Sequence, residues 1–143
     1  MKILIVNMSV DPVFGGGTAE RTCQLAKELQ KLPDTTAKVL STTAGLNDQL
    51  IFDDTQFVLL PCLSKRWYIP KPHLKVIYQN IKCADIIILM GHWTLINAIV
   101  YFCNRFIKRP YLFCPAGALH IFGRSGFIKH IYNAVVGTRI LKY

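Results

Sequence analysis

The chain has 143 residues, of which 52% are hydrophobic and 17% charged, and a net charge of +9. That length makes one domain with a sizeable core. The apolar content fits a sheet covered on both faces, or a surface that meets a membrane. No stretch reaches the ~20 apolar residues that span a bilayer, and the N-terminal apolar run, Ile3 to Val6, is too short for a signal peptide.

Lys2-Ile3-Leu4-Ile5-Val6-Asn7-Met8 reads as a first, buried parallel strand. Gly15-Gly16-Gly17 follows after a six-residue loop. Thr18 suits the N-cap of a helix from about Ala19 to Leu32, with Glu20 in its first turn and Pro33 as its stop. Its buried stripe is Ala19, Cys23, Ala26, Leu29 and Leu32. A second strand runs from about Ala37 to Ser41, and Thr42 to Asp54 reads as a polar loop. Phe57 to Leu60 is the third strand, closed by Pro61. Ser64 to Pro72 is rich in Trp, Tyr, Pro and basic residues and reads as a loop, with a helix after it to about Lys82.

Ile86 to Met90 is the clearest buried strand, ended by Gly91, His92 and Trp93. Thr94 caps a helix to about Lys108, and Tyr111 to Cys114 is the fifth strand. Pro115-Ala116-Gly117-Ala118 is a turn, and Ser125 to Tyr143 is a basic amphipathic helix. The alternation of strands and helices predicts an α/β, Rossmann-like parallel sheet with helices on both faces, in a single domain. Ligands of such sheets bind beyond the carboxyl ends of the strands. Here that edge carries Asp11 to Gly17, Gly91 to Trp93, and Pro115 to Leu119.

The charge is uneven. All eight acids lie at or before Asp85, and the last 58 residues carry Arg105, Lys108, Arg109, Arg124, Lys129, Arg139 and Lys142 without an acid. Such a half points to phosphate-bearing substrates, anionic lipid or nucleic acid. Nucleic acid fits poorly, because aromatic and basic residues do not interleave on an exposed strand and no binding motif is present. The tail with Arg124, Lys129, Arg139 and Lys142 fits an anionic membrane face, or a solvated charged helix. The five cysteines lack C-x-x-C spacing and read as reduced core residues of a cytosolic protein. No His/Cys/Asp/Glu cluster has metal-ligand spacing.

A dinucleotide fingerprint requires G-x-G-x-x-G directly after the strand and an acid ending strand 2. Glu20 stands where the third glycine should be, the glycines come late, and strand 2 ends in Ser41-Thr42-Thr43. A nucleotide-dependent oxidoreductase is therefore a minor alternative. A P-loop is excluded, since no Lys-Ser or Lys-Thr follows the glycines. Close backbone approach to a ligand, or a flexible turn, remains for Gly15 to Gly17. His92 can donate to a substrate or act as a base, or be held locally in its turn. His120 and His130 read as surface or packing residues, and His73, in a basic loop or helix start, carries little information.

These features together resemble the N-terminal half of family-4 glycosyltransferases, which have the GT-B fold. "MKILIVNMSVDPVFGGGTAERTCQLAKELQK" resembles their first strand, glycine-rich loop and helix. "ADIIILMGHWTLINAIVYFCNRFIKRPYLFCPAGAL" resembles their fourth strand, its histidine, and the strand ending in a Pro-x-Gly turn. "GRSGFIKHIYNAVVGTRIL" is similar to the basic segment of members acting on polysaccharide or lipid-linked acceptors. The resemblance implies sugar transfer from a nucleotide-sugar donor to such an acceptor, usually with retention, without a metal or a further cofactor. It makes Gly15, Gly16, Gly17, Pro115 and Gly117 substrate-binding residues and His92 the catalytic candidate. Ala116 stands where many relatives carry a histidine. The donor-binding second domain of the family has no counterpart before Tyr143, so the expectation is a truncated or split enzyme, inactive alone, whose partner is a separate donor domain. A membrane-surface or partner-binding module is the alternative. The expected place is the cytoplasm, peripheral on the membrane.

Overall fold

The computed structural model describes residues 1–46, 51–53, 56–64, 66–71, 73–116 and 126–142. Five strands form the expected parallel sheet: β1 (Lys2–Ser9), β2 (Thr36–Thr42), β4 (Phe57–Leu60), β7 (Ile86–Met90) and β8 (Tyr111–Cys114). Their order is β4-β2-β1-β7-β8, and the short β3 (Ile51–Asp53) runs antiparallel to β4 at the edge. Chain direction across the sheet therefore reverses between β1 and β7, the switch point where such folds open a crevice. Two further short strands, β5 (Cys62–Ser64) and β6 (Ile69–Pro70), pair as a separate hairpin. The expected loops 42–54 and 64–72 thus contain β3 and β6, both short and without an alternating apolar signature.

Strand alternation sorts the core into two layers. Leu4, Val6, Ile87 and Leu89 point to one face and meet α2 (Leu74–Cys83) through Ile77 and Ile81. On that same face lie α3 (Leu95–Ile107), through Ile96 and Val100, and the C-terminal segment, through Val136 and Ile140. Ile3, Ile5 and Val39 point to the other face and meet α1 (Pro12–Gln30) at Ala26. Among the described residues α1 alone covers that face, and Leu112 on edge strand β8 stays 57% exposed.

The C-terminal segment is α4 (Gly126–Tyr132), a π-helical turn (Asn133–Gly137) and α5 (Thr138–Leu141). Its apolar residues do not share one face. Tyr132 packs against the core, with Val136 and Ile140 buried in it, while Ile128, Ile131, Val135 and Leu141 are exposed. The extra residue in the π turn shifts the helical phase between the two halves. All five thiols are unpaired; Cys83 is exposed and the others half-buried. They line the margins of the two layers instead of their centres.

Candidate functional site

The first wall of the switch point begins where β1 ends. Ser9 is buried; its Oγ donates to the Ala44 carbonyl (2.8 Å) and accepts from the Asp11 N–H (3.1 Å). Asp11 then accepts from the Val13 and Phe14 N–H groups at 2.9 and 2.8 Å. A side-chain acceptor at the N-cap followed by proline is a strong helix start. So α1 begins at Pro12, capped by Asp11 and not by Thr18, and the glycines lie inside the helix. The Asp11-Pro12 pair carried this signal in the sequence; the glycine run obscured it.

Those glycines occupy three different environments. Gly15 is buried, and a Cβ there would stand 2.7 Å from the Ser9 carbonyl oxygen and 2.6 Å from the Ala19 Cβ. Gly16 breaks the helix, with φ 54° and ψ −146°. Gly17 is exposed, helical, and faces open space. At the break, the Phe14 carbonyl accepts a hydrogen bond from the Tyr68 hydroxyl at 2.9 Å. Tyr68 ties the β5–β6 hairpin over the start of α1; no feature of the sequence pairs it with Phe14, 54 residues away.

The second wall is the end of β7. Asn97, fully buried in the first turns of α3, donates to the Met90 and Gly91 carbonyls at 3.0 and 2.8 Å. The Gly91 N–H donates to the Cys114 carbonyl (2.8 Å), which brings Pro115 alongside. Register places this turn next to β1, since Val6 pairs with Leu89. Gly15 to Gly17, Gly91-His92 and Pro115 therefore share one edge of the sheet, as expected. Gly117 and Arg124 lie outside the described residues, and so does most of the third wall.

His92 is only 3% exposed. Its Nε2 faces Asn133 Oδ1 at 3.1 Å, across 41 residues, and Nδ1 is buried without a partner among the described residues. With Asn133 accepting, Nε2 carries the proton and Nδ1 is a bare acceptor. Trp93, Phe113 and Tyr132 surround the ring edge-on at 4.4 to 5.6 Å. Burial pushes the imidazole below its ordinary pKa, opposed by the Asn133 hydrogen bond. In this arrangement the C-terminal segment closes off the ring, and contact with a substrate would need Asn133 to release it. Asn133 gave no signal in the sequence beyond its place in a basic tail. Burial also pushes the Tyr132 hydroxyl up to about 12, while it donates to the Thr94 carbonyl at 3.1 Å.

The basic candidates are spread out. Lys129 is half-buried, 5.7 Å over the Trp93 ring beside His92, whereas Arg139 and Lys142 are exposed further along the segment. Among the described residues, this edge can offer backbone N–H groups, apolar side chains and a neutral imidazole, and the Asp11 carboxylate is committed to capping α1. Comparison with protein-family models, with curated proteins and with solved structures gives no match for the chain.

Proposed function

We propose that the chain is the acceptor-side half of a glycosyltransferase of GT-B architecture. The observation that carries this reading is the switch point between β1 and β7, where the glycine break of α1, the Gly91-His92 turn and Pro115 meet at one sheet edge. Ligands of open α/β sheets bind at such points. The exposed backbone at Gly17 admits close approach of a diphosphate or a sugar hydroxyl, because no side chain stands in front of it. Phe14 and Trp67, 40% and 49% exposed, flank the Tyr68–Phe14 hydrogen bond and offer an apolar rim for a sugar ring.

The partner in this reading is a second Rossmann-like unit that holds the nucleotide. One sheet edge supplies one wall; excluding water and stabilising a departing diphosphate require an opposing one. Without such a unit opposite the edge, residues 1–143 are expected to bind glycan or nucleotide-sugar weakly and to transfer no sugar.

Calorimetric titration of the chain with nucleotide-sugars and with a lipid-linked oligosaccharide tests the proposal. The Gly17→Leu variant is the control, since its side chain enters open space on an exposed helical turn. Binding that Gly17→Leu abolishes while the melting temperature holds supports the proposal. No saturable binding of any of these ligands, or binding indifferent to Gly17→Leu, refutes it.

A further inference from the structure

The two faces of the sheet differ in charge. α1, on one face, carries Glu20 and Glu28 beside its basic residues. The opposite face is built from α2, α3 and the C-terminal segment, and none of the three contains an acid. Lys75, Lys82, Arg105, Arg139 and Lys142 lie on that face and are exposed. Among the described residues the one ion pair is Lys31–Glu28, which belongs to α1.

The same face leaves large apolar side chains in water. Leu95, Phe102 and Phe106, at i, i+7 and i+11, form one outward stripe of α3 and are 41%, 39% and 83% exposed. Next to this stripe, Leu74 and Tyr78 of α2 border an apolar groove of ≈ 610 Å³ with Phe102 and Phe106. On the C-terminal segment Phe127, Ile131 and Val135 are 78%, 48% and 52% exposed. At the end of α3, Arg105, Lys108 and Arg109 gather around a hollow of ≈ 700 Å³. Tyr101 lines it with a buried hydroxyl that has no hydrogen-bond partner among the described residues.

From this juxtaposition we infer that the whole α2–α3–C-terminal face docks on an anionic phospholipid bilayer. Apolar side chains enter the headgroup boundary, cations meet lipid phosphates, and the hollow beside Tyr101 seats one headgroup. Exposed aromatic and aliphatic residues interspersed with Lys and Arg, and no acid to repel the surface, are what an interfacial element requires. A water-facing helix layer would carry both signs of charge. The exposed side chains that dock are not those of the glycine break or of His92, so the inference does not rest on the sugar-transfer reading.

Vesicle flotation of the full chain tests it, with phosphatidylcholine vesicles against phosphatidylcholine containing about one third phosphatidylglycerol. Flotation only with the anionic vesicles is expected, and its loss in roughly 0.5 M salt, where the Debye length is about 4 Å. Lys75→Glu with Arg105→Glu should lower partitioning more than about tenfold, each cation contributing roughly fivefold. Phe106→Ser with Phe127→Ser should lower it about tenfold or more. These side chains are exposed, and an unchanged circular dichroism melt verifies the fold. Equal binding to neutral vesicles, no flotation at all, or charge-reversed protein floating like the parent would overturn the inference. So would a solution dimer without flotation that Phe106→Ser dissociates, which assigns the face to a second copy. Retention on an acidic polypeptide matrix without flotation likewise overturns it, in favour of an acidic protein partner.

Discussion

Three adjacent glycines should respond to alanine in three different ways. At Gly16 a Cβ meets nothing within 4 Å, so the cost is conformational: φ 54° with ψ −146° lies in a region that only glycine occupies freely. Alanine there should cost about 1–3 kcal/mol. Asparagine should not rescue it, because its tolerance is for the left-handed helical region near ψ +47°. At Gly15 the backbone is helical, and the obstacle is steric: the new methyl group would press on the Ser9 carbonyl and on Ala19. Relief requires moving α1 off the end of β1, a strain of about 1–3 kcal/mol. At Gly17 neither obstacle exists, and alanine should stabilise by up to about 1 kcal/mol through helix propensity. For a chain of this size 1 kcal/mol corresponds to about 3 °C in melting temperature. Differential scanning calorimetry should therefore show losses of about 3–9 °C for Gly15→Ala and Gly16→Ala, and a gain of up to about 3 °C for Gly17→Ala. Equal losses at all three positions would show that α1 does not begin at Pro12 with a break at Gly16.

Asn97→Leu should cost about 2 kcal/mol, because the buried Met90 and half-buried Gly91 carbonyls lose their donor; an unchanged urea midpoint would contradict it. His92 has a folded-state pKa below the unfolded 6.5, so protons bind preferentially to the unfolded chain. Its contribution to stability should be intact above pH 6.5 and decline as pH falls through the lowered folded-state value. Melting temperature against pH should flatten in that window in His92→Gln, and a parallel curve for the variant would contradict the burial argument. Lys108 caps α3 in a left-handed conformation with φ 62°, so Lys108→Gly should stabilise by about 1 kcal/mol. The same variant should weaken anionic-vesicle binding, and a chemical denaturation series together with flotation separates the two effects.

The parallel strands were legible because runs such as Ile86 to Met90 are apolar on consecutive residues, which only a doubly covered strand uses. The edge elements were not. β3 falls in a polar stretch, and β5 and β6 are too short to show alternation. The helix start was present in the sequence as Asp11-Pro12 and was outweighed by three glycines, of which one, Gly16, marks the break. The sheet edge shared by Gly15 to Gly17, Gly91, His92 and Pro115 followed from topology alone. What closes over His92 did not, because Asn133 comes from a segment 41 residues later. The division of the tail into buried Val136 and Ile140 and exposed Phe127, Ile131 and Val135 depends on a π turn, for which periodicity offers no signal.

The central claim is that ligand chemistry belongs to the carboxyl edge at the β1–β7 switch point. Amide chemical-shift mapping of the isotopically labelled chain tests it most directly, with nucleotide-sugars and a lipid-linked oligosaccharide as titrants. The account predicts that the largest shifts fall on Gly15, Gly16, Gly17, Gly91 and His92, and vanish in Gly17→Leu. Shifts confined to the amino-terminal edge around Lys2, Thr36 and Asn80, or none with any of these ligands, would contradict it.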